Sequence, residues 1–278
     1  MSGTKAASQL ISVKTLYSIQ SPMNRTPILF DSDQTDTLTP SSPESLGFNR
    51  SFFLPAQTPA STETVDGFSS FAPTRYESGY AYPLIVWLHG RDSDQFEIER
   101  AMPHVSTQNF VAVSARGNRP SYYIPGAYSW GDSPGEVADA ADKVEQCIKL
   151  AKAQFNIHCD RIFLAGSSTG GTLALRLAME YPGICAGAVS LGGRLPRGNR
   201  PLKRFQETQR TPLMLAVSAS ESYSFDDLKQ DITLIHSAGF PLEVMLCPRG
   251  DYICSEMLAH VNTWIMKQVC PQSVSAHC

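Results

Sequence analysis

Six apolar runs, each five or six residues long, recur along this sequence, and helix-forming stretches separate most of them. The runs lie at residues 84–88, 110–114, 162–166, 186–191, 213–218 and 242–246. In most of them the apolar residues are consecutive rather than alternating, which is typical of strands buried on both faces of a parallel sheet. The pattern therefore predicts an α/β fold, with a mostly parallel, doubly wound sheet flanked by helices.

Three stretches beside these runs carry helix signals. Residues 133–155 have an apolar stripe at steps of three and four, with Ser133 as N-cap and Glu136 as the acid of a capping box. Residues 224–239 begin with a capping serine and end at a glycine suited to a C-cap. A last helix is predicted from about residue 255 to residue 269.

The composition changes near residue 47. Residues 1–46 are rich in Ser, Thr, Asp and Pro, so they are predicted to be mostly disordered, with a short docking segment around residues 10–19. Residues 47–269 are expected to form the α/β domain, and residues 270–278 a loose tail. Residues 51–56 are expected to add an antiparallel edge strand.

The composition also argues against several classes of partner. A net charge of −3 gives no reason to expect nucleic acid or an anionic membrane as partner. No apolar run approaches the roughly 20 residues of a membrane span, and the first residues do not resemble a signal peptide. The seven cysteines are scattered without a CxxC pair, which argues against a disulfide framework and fits a reducing compartment. By default, the protein is expected to be cytoplasmic. No metal or cofactor is expected, because no His, Cys and Asp cluster and no GxGxxG are found.

A serine stands at the junction between one apolar run and a helix-forming stretch. Residues 166–170 read Gly-Ser-Ser-Thr-Gly and fit G-x-S-x-G, with Ser168 in the middle. A nucleophile elbow needs small residues on both sides of its serine, because the start of the helix crowds the end of the strand. The alternative is a glycine-rich turn whose serines only cap the helix. The flanking strand and helix favour the elbow, in which the helix N-terminus points N–H groups at an anion beside Ser168.

Three segments of the chain resemble a known family. These are "PLIVWLHG", "DRIFLAGSSTGGTLALRLAMEYP" followed by "AGAVSLGG", and "PLMLAVSASES". They are similar to the phospholipase/carboxylesterase branch of the α/β-hydrolases, which includes acyl-protein thioesterases and bacterial carboxylesterases. The resemblance covers roughly residues 52–265. It implies ester or thioester hydrolysis through Ser168, with a small-molecule ester or acyl compound as substrate and without a cofactor.

The resemblance also implies an oxyanion hole. The backbone N–H of Thr169 follows the nucleophile, and Arg91 is expected to supply the second N–H from the loop after the strand at residues 84–88. His89, at the start of that loop, is interpreted as a structural residue that fixes the loop rather than as a proton carrier.

The other two members of a catalytic triad are harder to place. Glu221 falls at the position of the family's acid, whereas Asp226 and Asp227 are interpreted as first-turn helix residues. Tyr252, beside Asp251, occupies the position of the family's histidine. Neither is a suitable base, because tyrosine titrates near ~10 and aspartate near ~4.

None of the remaining histidines is an obvious substitute, and His260, the nearest in sequence, is expected to be a partly buried helix residue. The others are His104, His158, His236 and His277. Two hypotheses therefore remain, an active hydrolase with a rearranged triad and a non-catalytic member that binds a ligand or protein partner. The aromatic stretch at residues 116–135, with Tyr122, Tyr123, Tyr128 and Trp130, is interpreted either as a pocket wall or as packing against the sheet.

Overall fold

The computed structural model of the chain describes residues 67–181, 183–196, 211–218, 224–247 and 253–270. The strands in this part are β1 (Phe68–Phe71), β2 (Tyr82–Leu88), β3 (Val111–Ala115), β4 (Arg119–Pro120), β5 (Tyr128–Ser129), β6 (Ile157–Ser167), β7 (Gly187–Leu191), β8 (Leu213–Ser218) and β9 (Leu242–Cys247). The helices are α1 (Glu97–Val105), α2 (Pro134–Gln154), α3 (Ser168–Glu180), α4 (Phe225–Ser237) and α5 (Ser255–Val269).

Seven strands form one sheet in the order β1-β3-β2-β6-β7-β8-β9. The edge strand β1 is antiparallel to β3, and all other neighbours in the sheet are parallel. The predicted fold class, a mostly parallel α/β sheet, is confirmed. Strand β6 lies at the centre, where Gly166 pairs with Leu88 of β2 on one side and with Ser190 of β7 on the other.

Helices cover both faces of the sheet and give two apolar cores. Helices α2, α3 and α4 contribute buried residues to one core, and α1 and α5 contribute to the other. Every residue of β2 is buried, which explains why its sequence is apolar without alternation. No helix among the described residues is long and apolar enough to cross a bilayer.

The predicted elements agree with the structure at most positions. All six apolar runs are strands, Ser133 and Glu136 form the capping box of α2, and Ser224 caps α4. Gly239 follows α4 with a φ of 82°, as expected of a C-cap glycine.

Some elements were not predicted, and some predictions fall on residues outside the described ranges. Helix α1 and strand β1 were missed, and β6 begins five residues earlier than expected, at Ile157. The predictions for residues 1–46 and 51–56, and for the tail beyond Cys270, lie outside the described residues.

Candidate active site

Ser168 lies on the sharp turn between β6 and α3. Its φ is 49°, in the left-handed region that non-glycine residues rarely adopt. Such a conformation costs on the order of 1–3 kcal/mol and persists only where the surrounding structure enforces it. The side chain is half-buried, unlike that of Ser167, which is almost fully buried. The backbone therefore adopts the strained turn that the G-x-S-x-G pattern predicts.

The two glycines of the pattern are required because the turn is packed against the end of β2. A Cβ on Gly166 would lie 2.5 Å from the carbonyl oxygen of Leu88. A Cβ on Gly170 would overlap the carbonyl oxygens of Leu88 and His89. The close approach brings the start of α3 against the loop that follows β2, which carries the predicted second oxyanion donor.

The residues predicted to form the oxyanion hole are brought to this junction. Thr169 is the second residue of α3, so its N–H has no carbonyl one turn back within the helix. Gly90, directly before Arg91, lies so close to the turn that its Cβ would be 2.8 Å from Ser167 Oγ. Arg91 itself is exposed. Thr169 Oγ1 is buried and has no hydrogen-bond partner in the described part of the chain.

A buried glutamate joins the loop after β2 to the turn. Glu97, at the start of α1, accepts hydrogen bonds from Ser167 Oγ (2.6 Å) and Trp87 Nε1 (3.1 Å) through Oε1. Its Oε2 accepts the N–H of Gly90 (3.0 Å). One carboxylate thus fixes both the residue before Ser168 and the residue before Arg91. Sequence reasoning missed Glu97, because no local motif links it to residues so distant along the chain.

His89 is a buried structural residue, as the sequence interpretation expected. Its Nδ1 lies 2.8 Å from the carbonyl oxygen of Gly90, and its Nε2 accepts the N–H of Gly117 at 2.8 Å. Nε2 is therefore unprotonated, and Nδ1 carries the proton that it donates. Desolvation by burial lowers the pKa of His89, against smaller raising effects of Gly90, Glu97 and Asp94. A neutral ring with both nitrogens engaged is not available as the base for Ser168.

The aromatic stretch divides into a packing part and an exposed part. Trp130 is buried, and its Nε1 donates to the carbonyl oxygen of His89 at 3.0 Å. Tyr128 exchanges two backbone hydrogen bonds with Ser93 and so holds the loop after β2. Tyr122 and Tyr123 are exposed. Trp130 and Tyr128 thus support the loop that carries Arg91.

The predicted acid and the residue at the histidine position lie outside the described residues. Glu221 comes three residues after Ser218, the end of β8, and Tyr252 comes after Cys247, the end of β9. Parallel strands place both ends at the same edge of the sheet as Ser168.

The other described histidines are not hydrogen-bonded to Ser168. His260 on α5 bonds Glu243 Oε1 at 2.7 Å, and Glu243 is the second residue of β9, near the other end of the strand. Glu243 is three strands from β6, about 14 Å at ~4.8 Å per strand. His104 and His236 are exposed on helices, and His158 lies near the start of β6. Within the described ranges no imidazole is hydrogen-bonded to Ser168; His277 lies beyond them.

The fold and the strained serine turn define the chain as an α/β-hydrolase. The family model Esterase, described as "Putative esterase", matches residues 61–230, more than half of the chain. The chain therefore belongs to this esterase family.

Individual relatives agree with this assignment. The "Probable carboxylesterase SOBER1-like" of Arabidopsis thaliana is 24% identical over 229 residues, 75% of this chain and 87% of that protein. "Putative esterase NocK" of Nocardia uniformis subsp. tsuyamanensis is 32% identical over 121 residues, which cover 41% of this chain but only 33% of that relative. The structure of Zea mays acyl-protein thioesterase 2 superposes with a TM-score of 0.60 at 18% identity, over 73% of this chain and 98% of that chain, and shows the same fold.

Proposed function

We propose that this protein hydrolyses carboxylic esters or thioesters of small molecules, with Ser168 as nucleophile. The observation that carries the proposal is the φ of 49° at Ser168, on a turn packed against the loop after β2. The esterase family and its relatives named as carboxylesterases support the same chemistry.

In the proposed reaction, Ser168 Oγ attacks the carbonyl carbon of the substrate and gives up its proton to a base. The carbonyl oxygen becomes an oxyanion, which the N–H groups of Thr169 and Arg91 stabilise. Collapse of this intermediate expels the protonated alcohol or thiol and leaves an acyl-enzyme. A water molecule then attacks the acyl carbon, releases the carboxylic acid and returns the proton to Ser168. Glu221 is proposed as the acid that orients the base.

A second candidate function is binding without turnover, as in a non-catalytic member of the family. It is favoured by the hydrogen bonds of His89 and His260, which engage these two rings with Gly117 and Glu243. Without a base, only the oxyanion hole and substrate binding would contribute, a residual acceleration of roughly 10³–10⁴-fold. The retained turn would then serve as part of a ligand pocket.

A fluorophosphonate probe and a short-chain activated ester, applied to the native chain and to Ser168→Ala, distinguish hydrolysis from binding without turnover. The matched control is Ser237→Ala, an exposed serine at the end of α4. If the protein is a hydrolase, the probe labels the native chain and Ser237→Ala, and both turn over the ester. In Ser168→Ala, labelling disappears and the rate of ester turnover falls by roughly 10³-fold or more. A folded native chain that is inert in both assays supports the binding function instead.

We also propose that the protein acts in a reducing compartment, namely the cytoplasm. No disulfide joins any of the six described cysteines, two of which are exposed, and this supports the location.

A further inference from the structure

Two cysteines and a glutamate come together where β9 ends and α5 begins. Cys247 is the last residue of β9, Cys254 is the N-cap of α5, and Glu256 lies in the first turn of that helix. The two Sγ atoms are 3.2 Å apart. Both sulfurs and a carboxylate oxygen of Glu256 lie within 4.8 Å of one another. The sequence did not predict this cluster, because its spacing matches none of the usual cysteine motifs.

We propose that Cys247, Cys254 and Glu256 bind a zinc ion, which nothing in the esterase reaction requires. Thiolate and carboxylate oxygen are both zinc ligands, and paired thiolates favour zinc over magnesium or calcium. Three protein ligands leave a fourth tetrahedral position for water. The inference rests on these three side chains alone and is independent of the proposed hydrolysis.

The distance between the sulfurs and the presence of the third group favour a metal over a disulfide. Two thiolates on one tetrahedral zinc, with bonds of about 2.3 Å, would be about 3.8 Å apart. A disulfide bond measures about 2.05 Å. The observed 3.2 Å between Cys247 Sγ and Cys254 Sγ is nearer to the first value. The Glu256 carboxylate, which a disulfide would not use, lies beside both sulfurs.

The burial of the three groups suits a site with one open side. Cys247 is buried, Cys254 is half-buried and Glu256 is exposed, so a cation can enter from solvent and keep a water ligand. Glu256 makes neither a hydrogen bond nor an ion pair with its side chain in the described residues. Zinc binding would release the thiol protons of Cys247 and Cys254 to solvent, and the divalent charge would offset most of the repulsion among the two resulting thiolates and the carboxylate.

A bound ion would also join the two ends of the connection between β9 and α5. Cys247 and Cys254 are seven residues apart in the sequence, so the metal would link the end of β9 to the start of α5, at the edge of the sheet near which Ser168 lies. Zinc that binds only the folded chain would stabilise it by mass action. Zinc should therefore raise the melting temperature, Tm, whether or not the protein hydrolyses esters.

The test uses the full chain, reduced and stripped of metal with a chelator, and then titrated with Zn²⁺ against a chromophoric competitor. A parallel titration with Co²⁺ reports thiolate ligation through its sulfur-to-metal charge-transfer absorption. We expect one equivalent of metal, a thiolate–cobalt spectrum and a rise in Tm. Glu256→Gln should weaken binding roughly tenfold or more, and Cys254→Ser more strongly still.

The control is Cys270→Ser, which removes an exposed thiol at the other end of α5 and should bind zinc as the native chain does. Circular dichroism checks that each variant is folded. Because Glu256 is exposed, Glu256→Gln tests a ligand without disturbing the core. The proposal is overturned if the native chain takes up no zinc, or if Cys254→Ser and Glu256→Gln bind it unchanged. It is also overturned if thiol trapping finds a Cys247–Cys254 disulfide and the reduced chain takes up no metal.

Discussion

Two adjacent serines have opposite environments at the end of β6. Ser167 faces the interior and donates to Glu97 at 2.6 Å, whereas Ser168 is half-buried at a positive φ. Only the inward serine is tied to the buried carboxylate, which also holds Gly90 of the loop after β2. Glu97 therefore holds both the strained turn and that loop, so its substitution tests how the two are kept together.

We expect Glu97→Ala to destabilise the protein more than Glu97→Gln does. Alanine leaves three buried donors without their acceptor, on Trp87, Gly90 and Ser167, at roughly 1–3 kcal/mol each. Glutamine keeps one acceptor oxygen but turns an NH₂ group toward one of the donors. The free energy of unfolding, measured with urea, should fall by about 3 kcal/mol or more for Ala and by about half of that for Gln.

Glu99→Ala is the matched control, because Glu99 lies on the same helix but is only half-buried. Its effect should stay within about 0.5 kcal/mol. Equal losses for Glu97→Ala and Glu99→Ala would mean that the hydrogen bonds of Glu97 do not hold this region together.

At the scale of residues, the sequence predicted the strained turn at Ser168 but not the residues that support it. Ser168 belongs to a five-residue pattern, so its position follows from local sequence. Glu97 and Ser167 are 70 residues apart, and their pairing depends on the fold bringing the start of α1 to the end of β6. Similarly, the Cys247–Cys254–Glu256 cluster forms only because β9 ends where α5 begins. Contacts of this kind follow from the fold and not from any spacing in the sequence.

At the scale of elements, burial decided which ones could be predicted. Strands buried on both faces, such as β2, leave an uninterrupted apolar run, which neither a half-exposed strand nor a surface helix produces. Helix α1 has only nine residues and contains Pro103, which weakens its helix signal. Strand β1 is a four-residue edge strand, Phe-Ser-Ser-Phe, in which half-buried and buried residues alternate. Elements this short give too few residues for a period to be recognised.

The packing of α3 against β2 should make Gly170 intolerant of any side chain. In Gly170→Ala the new methyl group would overlap the backbone oxygens of Leu88 and His89, which cannot move without displacing the strand. We expect the free energy of unfolding to fall by several kcal/mol, on the order of 3, or the chain to be insoluble. Urea unfolding followed by circular dichroism measures the change.

Gly135→Ala provides the contrast, because a Cβ there meets no atom within 4 Å and the residue lies in the first turn of α2. Alanine is the better helix former by about 1 kcal/mol in a helix interior, so this variant should be as stable as the native chain or slightly more stable. If the two glycine variants were equally stable, α3 would not be packed against the end of β2 as described.

At the scale of the whole molecule, the parallel order of the strands collects the candidate site at one edge. The ends of β2, β6, β8 and β9 carry the loop of Arg91, the turn of Ser168 and the segments that lead to Glu221 and Tyr252. The strand signals and the chirality of parallel connections were enough to predict this gathering. They were not enough to predict the base, since a catalytic histidine is recognised by geometry and not by sequence position.

His89 connects several parts of the molecule, so its protonation should be visible in global stability. Its ring contacts the loop after β2 through Gly90 and the segment before β4 through Gly117, and burial lowers its pKa below 6.5 in the folded state. As the pH falls below about 6.5, the unfolded chain binds a proton at this residue and the folded chain does not. The free energy of unfolding should therefore decrease with a slope of up to about 1.4 kcal/mol per pH unit. The loss continues until the lowered pKa of the folded state is reached.

The measurement is a series of urea unfolding curves between neutral pH and about pH 5, compared as slopes rather than as absolute stabilities. His89→Gln, which keeps an acceptor for the N–H of Gly117 but cannot titrate, should have a shallower slope than the native chain. His104→Gln, at an exposed position on α1, is the matched control and should keep the native slope. A native slope in His89→Gln would show that His89 does not remain neutral in the folded protein, and that another group causes the loss of stability in acid.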